Sequence, residues 1–247
     1  MAPPAAQPHV SPPDSTQAAV DANGSTATTL WLPDAAARAD LATFAGRARR
    51  VDAAGAVRLV AHGNVLAVTA CALHGASGPT VLAMRTLVLG AAGEVDATVP
   101  VAALADRLAR DELADAGTGR FPVPLPPGAA VAAAWAGLMP PRRGWERTGS
   151  VSAAALAEAA REGIAAVAAG TPPGAGAAAV TRLRAGVWGR PLAGVPGVPT
   201  GVAFAADAFG FLGDASGDAS LHRAGRWVRL STPRGHVLSR PPVGLLG

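Results

Sequence analysis

The chain has 247 residues, half of them apolar, with 21 Arg, no Lys, 17 acids and a formal net charge of +4. That length suits one large domain or two small ones. The lone Cys71 excludes an intrachain disulfide framework and a Cys-rich zinc site, and the lack of Lys excludes P-loop, kinase and Schiff-base chemistries, each of which needs an amine at a fixed place.

Residues 1–28 are rich in Pro, Ala, Ser and Thr, lack aromatics and show no hydrophobic period, which predicts a disordered tail. No basic stretch followed by an apolar one opens the chain. No uncharged apolar run reaches the roughly 18 residues of a membrane helix. A cytoplasmic protein without a membrane segment is the expectation.

Residues 29–116 read as an α+β sheet domain. Pro33 stands where a first helical residue would, and Leu41, Phe44, Ala45 and Ala48 follow a helical stripe that ends in Arg47, Arg49 and Arg50. Val57–Ala61 and Val65–Leu73 flank the turn signal His62-Gly63-Asn64. Thr80–Leu89 and Asp96–Val101 are two more strands, and Ala102–Arg110 is a helix with Leu104 and Leu108 inward.

Residues 117–150 read as a Pro-rich connector and loop. Phe121–Pro127 is extended and polyproline-like. Ala130–Leu138 fits strand or buried helix, and Pro140–Gly149 is a loop carrying Arg142, Arg143, Trp145, Glu146 and Arg147.

Residues 151–247 begin with three helices: Ser152–Ala168 with Leu156, Ala160, Ile164 and Val167 as its stripe, then Ala177–Trp188 and Thr200–Leu212. Three short strands follow, Ser220–Ala224, Arg226–Ser231 and His236–Arg240, broken at Ala224-Gly225 and at Thr232-Pro233-Arg234-Gly235. The expected fold is α+β: an antiparallel four-stranded sheet with flanking helices, then a three-helix region closed by a small three-stranded antiparallel sheet, in winged-helix-like order.

Charge is unevenly placed. Residues 1–176 hold 13 Arg and 14 acids; residues 177–247 hold 8 Arg and 3 Asp. An Arg-only basic set fits GC-rich coding as well as anion recognition, but its concentration at one end singles out Ser220–Arg240. Arg223, Arg226, Arg229, Arg234 and Arg240 lie in that stretch with Trp227 and no acid. They are the candidate contacts to nucleic acid or another polyanion. The competing expectation is structural: apolar residues pack on the helices while arginines alternate outward and guard an edge. Thr200–Leu212 has no Arg, Asn or Gln, so base-specific reading is not expected.

Other motifs are weak. Gly174–Ala179 fits a dinucleotide-binding pattern but follows a helix instead of a strand. The five His lack metal-ligand spacing, no G-x-S-x-G elbow occurs, and Cys71 lies in an apolar run as a buried, inert thiol would. No catalytic residue, metal or cofactor is expected, and the sequence carries no signal for oligomeric state.

TLWLPDAAARADLATFAGRARR, PPRRGWE and HRAGRWVRLSTPRGHVL give the chain, from Leu30 to Arg240, its resemblance to uncharacterised conserved proteins of actinobacteria. That resemblance implies no site. The leading expectation is a non-enzymatic regulatory or adaptor protein that binds nucleic acid or another polyanion through the Arg-rich sheet. The alternative is a protein–protein interaction module. The third is a hydrolase whose acid pair meets only in three dimensions.

Overall fold

The computed structural model describes residues 19–20, 26–75, 78–110, 119–125, 131–172 and 174–241. Most of the expected N-terminal tail and the acid pair Asp111-Glu112 lie outside the described residues. A two-residue pairing of β1 (Ala19–Val20) with β2 (Thr26–Ala27) precedes β3 (Thr29–Leu32). Helix α1 (Ala35–Val51) begins two residues later than Pro33 suggests. Asp34 is its N-cap, and the Ala37 N–H donates to Asp34 Oδ1 at 2.7 Å. The expected stripe Leu41, Phe44, Ala45 and Ala48 is its buried face.

Two long strands follow, β4 (Ala56–Leu73) and β5 (Thr80–Pro100). They correct the four-strand reading. His62-Gly63-Asn64 and Gly90–Glu94 do not reverse the chain, because they lie opposite each other in one ribbon: His62 pairs with Glu94 and Gly63 with Gly93, and the register then shifts, the next pair being Val65 with Val88, so that Asn64 faces the longer stretch Leu89–Ala92. Gly63 takes a left-handed φ of 56°, and its N–H donates to Glu94 Oε1 at 3.1 Å. The glycine thus stands at the edge of a β-irregularity, which uses the same backbone freedom as a turn.

Helix α2 (Val101–Leu108) buries Val101, Leu104 and Leu108. β6 (Phe121–Pro124) is extended as expected but pairs antiparallel with β3, placing Val123 opposite Leu30. The ambiguous apolar run yields a short 3-10 turn, Ala134–Gly137. β7 (Glu146–Ser152) occupies residues read as loop. Helix α3 (Ala153–Ala169) is capped by Ser152, whose hydroxyl accepts from the Ala155 N–H at 3.2 Å. Helix α4 (Ala177–Trp188), the small pair β8 (Pro191–Leu192) and β9 (Val195–Pro199), and helix α5 (Gly201–Ala208) come next. β10 (Asp218–Ala224), β11 (Trp227–Thr232) and β12 (Gly235–Arg240) close the chain.

These last three strands form neither a separate sheet nor a wing. All belong to one six-stranded sheet in the order β4-β5-β12-β11-β10-β7. β12 pairs antiparallel with the start of β5, setting Val237 opposite Ala83 and Leu238 opposite Leu82. The physical reason is burial on both faces. Val228, Leu230 and Val237 pack in the main core with Val81, Ala83 and the helices, while Trp227 and Leu238 pack with Leu82 on the reverse side. A free hairpin would leave one of these apolar sets in water; pairing with β5 covers both. The expected helix Thr200–Leu212 is the shorter α5, whose Gly201, Val202, Ala203, Ala205 and Ala206 are buried.

Candidate binding face of the sheet

Strand alternation divides the sheet into two faces. The buried side chains of α1, α2, α3 and α5 all join the main cluster with Leu221, Leu230, Val237 and Ala83, which form one cross-strand row. None joins the second cluster, Leu82, Trp135, Trp227 and Leu238, which lies on the other face beneath the 131–145 segment. This second face is the candidate site.

Two rows of residues cross it. One runs Arg147, His222, Arg229, Leu238, Leu82, Cys71. The next runs Ser150, Ser220, Ser231, His236, Met84, Thr69. The β12–β5–β4 side of the first row is thus apolar, that of the second row mixes His236 and Thr69 with Met84, and the β7–β10–β11 side of both rows is polar or basic. β7 is an edge strand, and a register shift between Leu221 and His222 bulges it there, next to Arg147.

Trp145 roofs the basic half. Gly144, at φ 77°, takes a left-handed turn that suits glycine and brings the chain back over the sheet. The Trp145 indole N–H donates to the Pro141 carbonyl at 2.8 Å, and its ring lies 4.6 Å from the Arg229 guanidinium carbon, a cation–π contact. The Nε of Arg229, the Nε of Arg240 and the Nδ1 of His222 are buried without a hydrogen-bond partner. Among the described residues, no carboxylate forms an ion pair with Arg147, Arg229 or Arg240.

Burial, with like charge beside it at the histidines, depresses the basicity of three groups here. Burial, then Arg229 and Arg147, hold His222 below its ordinary 6.5. Burial, then Arg229, His222 and Arg85, do the same to His236, whose Nδ1 is 2.9 Å from Ser231 Oγ. Burial also pulls the Arg229 guanidinium down. Both histidines are therefore neutral at neutral pH. Because their folded pKa values lie below the unfolded ones, they cost nothing above the ordinary histidine range and oppose folding as pH falls through it.

The six residues singled out from sequence do not share one face. Trp227, Arg229 and Arg240 share the second face. Arg226 is exposed at the β10–β11 turn. Arg223 points toward the helix side, where its Nη2 donates to the Pro196 carbonyl at 2.6 Å. Arg234 sits at the far end of the sheet, beside Asp40, Arg47 and Arg85 around a small hollow near Phe211. Sequence reasoning missed Arg147, His222, His236, Ser220, Ser231 and Trp145 as members of one face. The signal that could have found them is the basic-aromatic run Arg142–Arg147 leading directly into an alternating polar strand.

Elsewhere, a cleft of about 470 Å³ lies near α4 and the β4–β5 connection, lined by Asp52, Cys71, His74, Arg184 and Trp188 among others. It does not assemble a catalytic pair. His74 Nδ1 lies 3.1 Å from Thr80 Oγ1, and the Asp52 carboxylate accepts from the Ala54 N–H at 3.1 Å. Burial pushes the Cys71 thiol up to about 12. Cys71 is accordingly expected to react with a disulfide reagent at about pH 8 roughly a thousandfold more slowly than a free thiol. Absorbance at the thiolate-release wavelength checks this, and reaction at the free-thiol rate would show the thiol to be accessible and ionised.

Residues 25–137 match the family model described as domain of unknown function DUF8010, and residues 140–244 match that described as domain of unknown function DUF8185. Strands from both matched stretches pair in the one sheet. No curated protein matches the chain. Among solved structures, the chain is similar to the DNA polymerase sliding clamp of Caulobacter crescentus, at 16% identity and a TM-score of 0.47, over 88% of this chain and 66% of that one. It is likewise similar to the DNA polymerase III subunit beta of Pseudomonas aeruginosa, at 15% identity and a TM-score of 0.46, over 89% of this chain and 66% of that one. The chain thus spans just under two thirds of the length of these clamp chains. At TM-scores under 0.5, nothing about activity or partners follows from the likeness. Among the described residues, no helix is long and apolar enough to cross a membrane.

Proposed function

We propose that the protein is a non-enzymatic interaction module of the cytoplasm that docks an extended segment of a partner protein beside β7. The observation that carries this is the Trp145–Arg229 stack on the sheet face opposite to the one that α1, α2, α3 and α5 cover, next to an edge strand that is exposed from Glu146 to Ser150. An edge strand offers unpaired backbone donors and acceptors to an incoming strand. Trp and Arg in a half-buried setting are the residue types that concentrate binding energy at interfaces. Trp227, buried in the second cluster, gives that anchor a fixed floor.

A photo-crosslinking side chain at Thr148, on the β7 bulge, tests this reading in extracts of the host cell. The expected result is a discrete cross-linked protein species, absent when the same group is placed at Arg49 on the helix side and depleted by Trp145→Ala. Equal yields from both positions, or none from Thr148, would overturn it. The second reading, binding of single-stranded nucleic acid or another polyanion, draws on the same unpaired Arg147, Arg229 and Arg240, with Trp145 as a stacking platform. It predicts an affinity that falls steeply with salt, which a titration of the full chain with DNA and RNA at two ionic strengths would reveal. Weak, salt-insensitive binding would remove it.

A further inference from the structure

The geometry points to a site for a phosphomonoester dianion on this face, formed by Arg147, His222 and Arg229 in one row and Ser220, Ser231 and His236 in the next, and filled by a phosphorylated serine or threonine of the docked segment. The inference rests on the reading of β7 as the docking edge.

Three observations lead to it. First, Arg147 and Arg229 are register partners of His222 from either side, so two cations flank one imidazole on three successive strands with no acid between them in the row. An anion on that row would meet both cations and would favour the protonated imidazole between them. Second, the arrangement leaves polar atoms waiting: His222 Nδ1 and Arg229 Nε are buried and unbonded. Such orphans are uncommon and call for an explanation. A tetrahedral oxyanion offers several acceptor oxygens to both arginines, the serine hydroxyls and the histidines at once. Third, the acids in the neighbourhood are turned to other tasks. Asp218, at the start of β10, accepts from Ser150 Oγ at 3.1 Å, and Glu146 pairs in register with Arg223, whose side chain serves the helix side.

A tethered anion suits the site better than a free one. Arg147 and Ser150 are exposed and Trp145 covers only part of the row, so the site does not enclose its ligand. An anion carried on a strand docked at β7 would arrive beside Arg147 without the entropy loss of a separate ion. Two arginines and two protonatable histidines also exceed what a single carboxylate would balance.

The charged groups acting on the two histidines are Arg147 from β7, Arg229 from β11 and, for His236, Arg85 of β5 from the helix side, where it is paired with Asp40; Asp218 on β10 is bonded to Ser150. With cations in the majority, the unliganded histidines are neutral. A bound dianion reverses that balance, so binding takes up protons and tightens as pH falls from about 8 to about 6.5.

Capped phosphoserine, capped glutamate and inorganic phosphate, each titrated into the full chain at constant ionic strength, test the assignment. The ring Cε1–H resonances of His222 and His236 are the readout. Capped phosphoserine is expected to shift both, to bind more tightly than inorganic phosphate and at least about tenfold more tightly than capped glutamate, and to lose about tenfold in affinity with Arg147→Gln or Arg229→Gln. Arg147 is exposed, so its variant folds even if that of Arg229 does not. No shift with phosphoserine, or a shift unchanged in both variants, would overturn the site. Inorganic phosphate binding as tightly as phosphoserine would make the ligand a free phosphate and overturn the docked phosphoresidue. Cross-linking from Thr148 that persists while phosphoserine fails would strike the anion site alone; phosphoserine binding without cross-linking would strike the docking edge.

Discussion

Trp188→Ala is expected to destabilise the protein by about 3–5 kcal/mol, as truncation of a large buried aromatic does. Trp188 is 2% exposed at the end of α4, and its ring stacks on Phe204 of α5 with centroids 4.7 Å apart and planes 27° from parallel. Its other side presses on α3, where a Cβ at Gly163 would stand 2.1 Å from its Cζ3. Three helices therefore meet on one ring, and α3 approaches only because Gly163 has no side chain. Gly163→Ala would overpack the same space, at a cost of about 1–3 kcal/mol. The two substitutions are coupled. Once the indole is gone, the added methyl group fills vacated volume, so the double variant should be more stable than the sum of the single effects predicts. Urea unfolding with an unchanged slope measures all three variants. Strict additivity would show that the two residues do not compete for one space.

The helices were readable because their signals are local. Ala177–Trp188 was found at its observed limits, and Ser152 caps α3 as its position before an alanine-rich stripe implies. The closing meander was readable for the same reason: Gly225, at φ 55°, and the Thr232–Gly235 turn punctuate it within a few residues. What the sequence hid is non-local. Nothing in Gly235–Arg240 states that its partner is Thr80–Met84, because both stretches carry apolar residues on both faces and either would pair with any strand like itself. β7 escaped notice because an edge strand here buries a single residue, Val151, and leaves no hydrophobic period. The basic cluster was visible as composition but not as a surface. A period of two sends Arg223 to the opposite face from Arg229, and a turn sets Arg234 apart from both. The site that resulted is built from one arginine of the expected set and a neighbour from a stretch read as loop.

Trp145→Ala should weaken partner binding by about thirtyfold or more while leaving the fold intact, whereas Trp227→Ala should cost about 3–5 kcal/mol of stability and lose binding with it. The contrast follows from where each ring lies. Trp227 is 7% exposed and packs with Leu82, Trp135 and Leu238, so its removal opens a cavity between the strands and the 3-10 turn. Trp145 is half-buried at the margin of that cluster, held by one hydrogen bond to Pro141 and by the Arg229 guanidinium. Its loss frees Arg229 to turn toward solvent and removes a flat apolar surface, which the sheet beneath tolerates. An interface anchor of this kind contributes 2 kcal/mol or more by general experience, about thirtyfold or more in affinity. The cross-linked segment of the partner, made as a peptide, would supply the ligand for calorimetric titration, with urea unfolding run on the same samples. Trp145→Phe separates the aromatic surface from the indole N–H: retention of most binding would place the energy in the ring, and a loss equal to that of Trp145→Ala would place it in the Pro141 hydrogen bond that orients the ring. Binding by Trp145→Ala at the wild-type level, with stability unchanged, would mean that the partner does not touch this face.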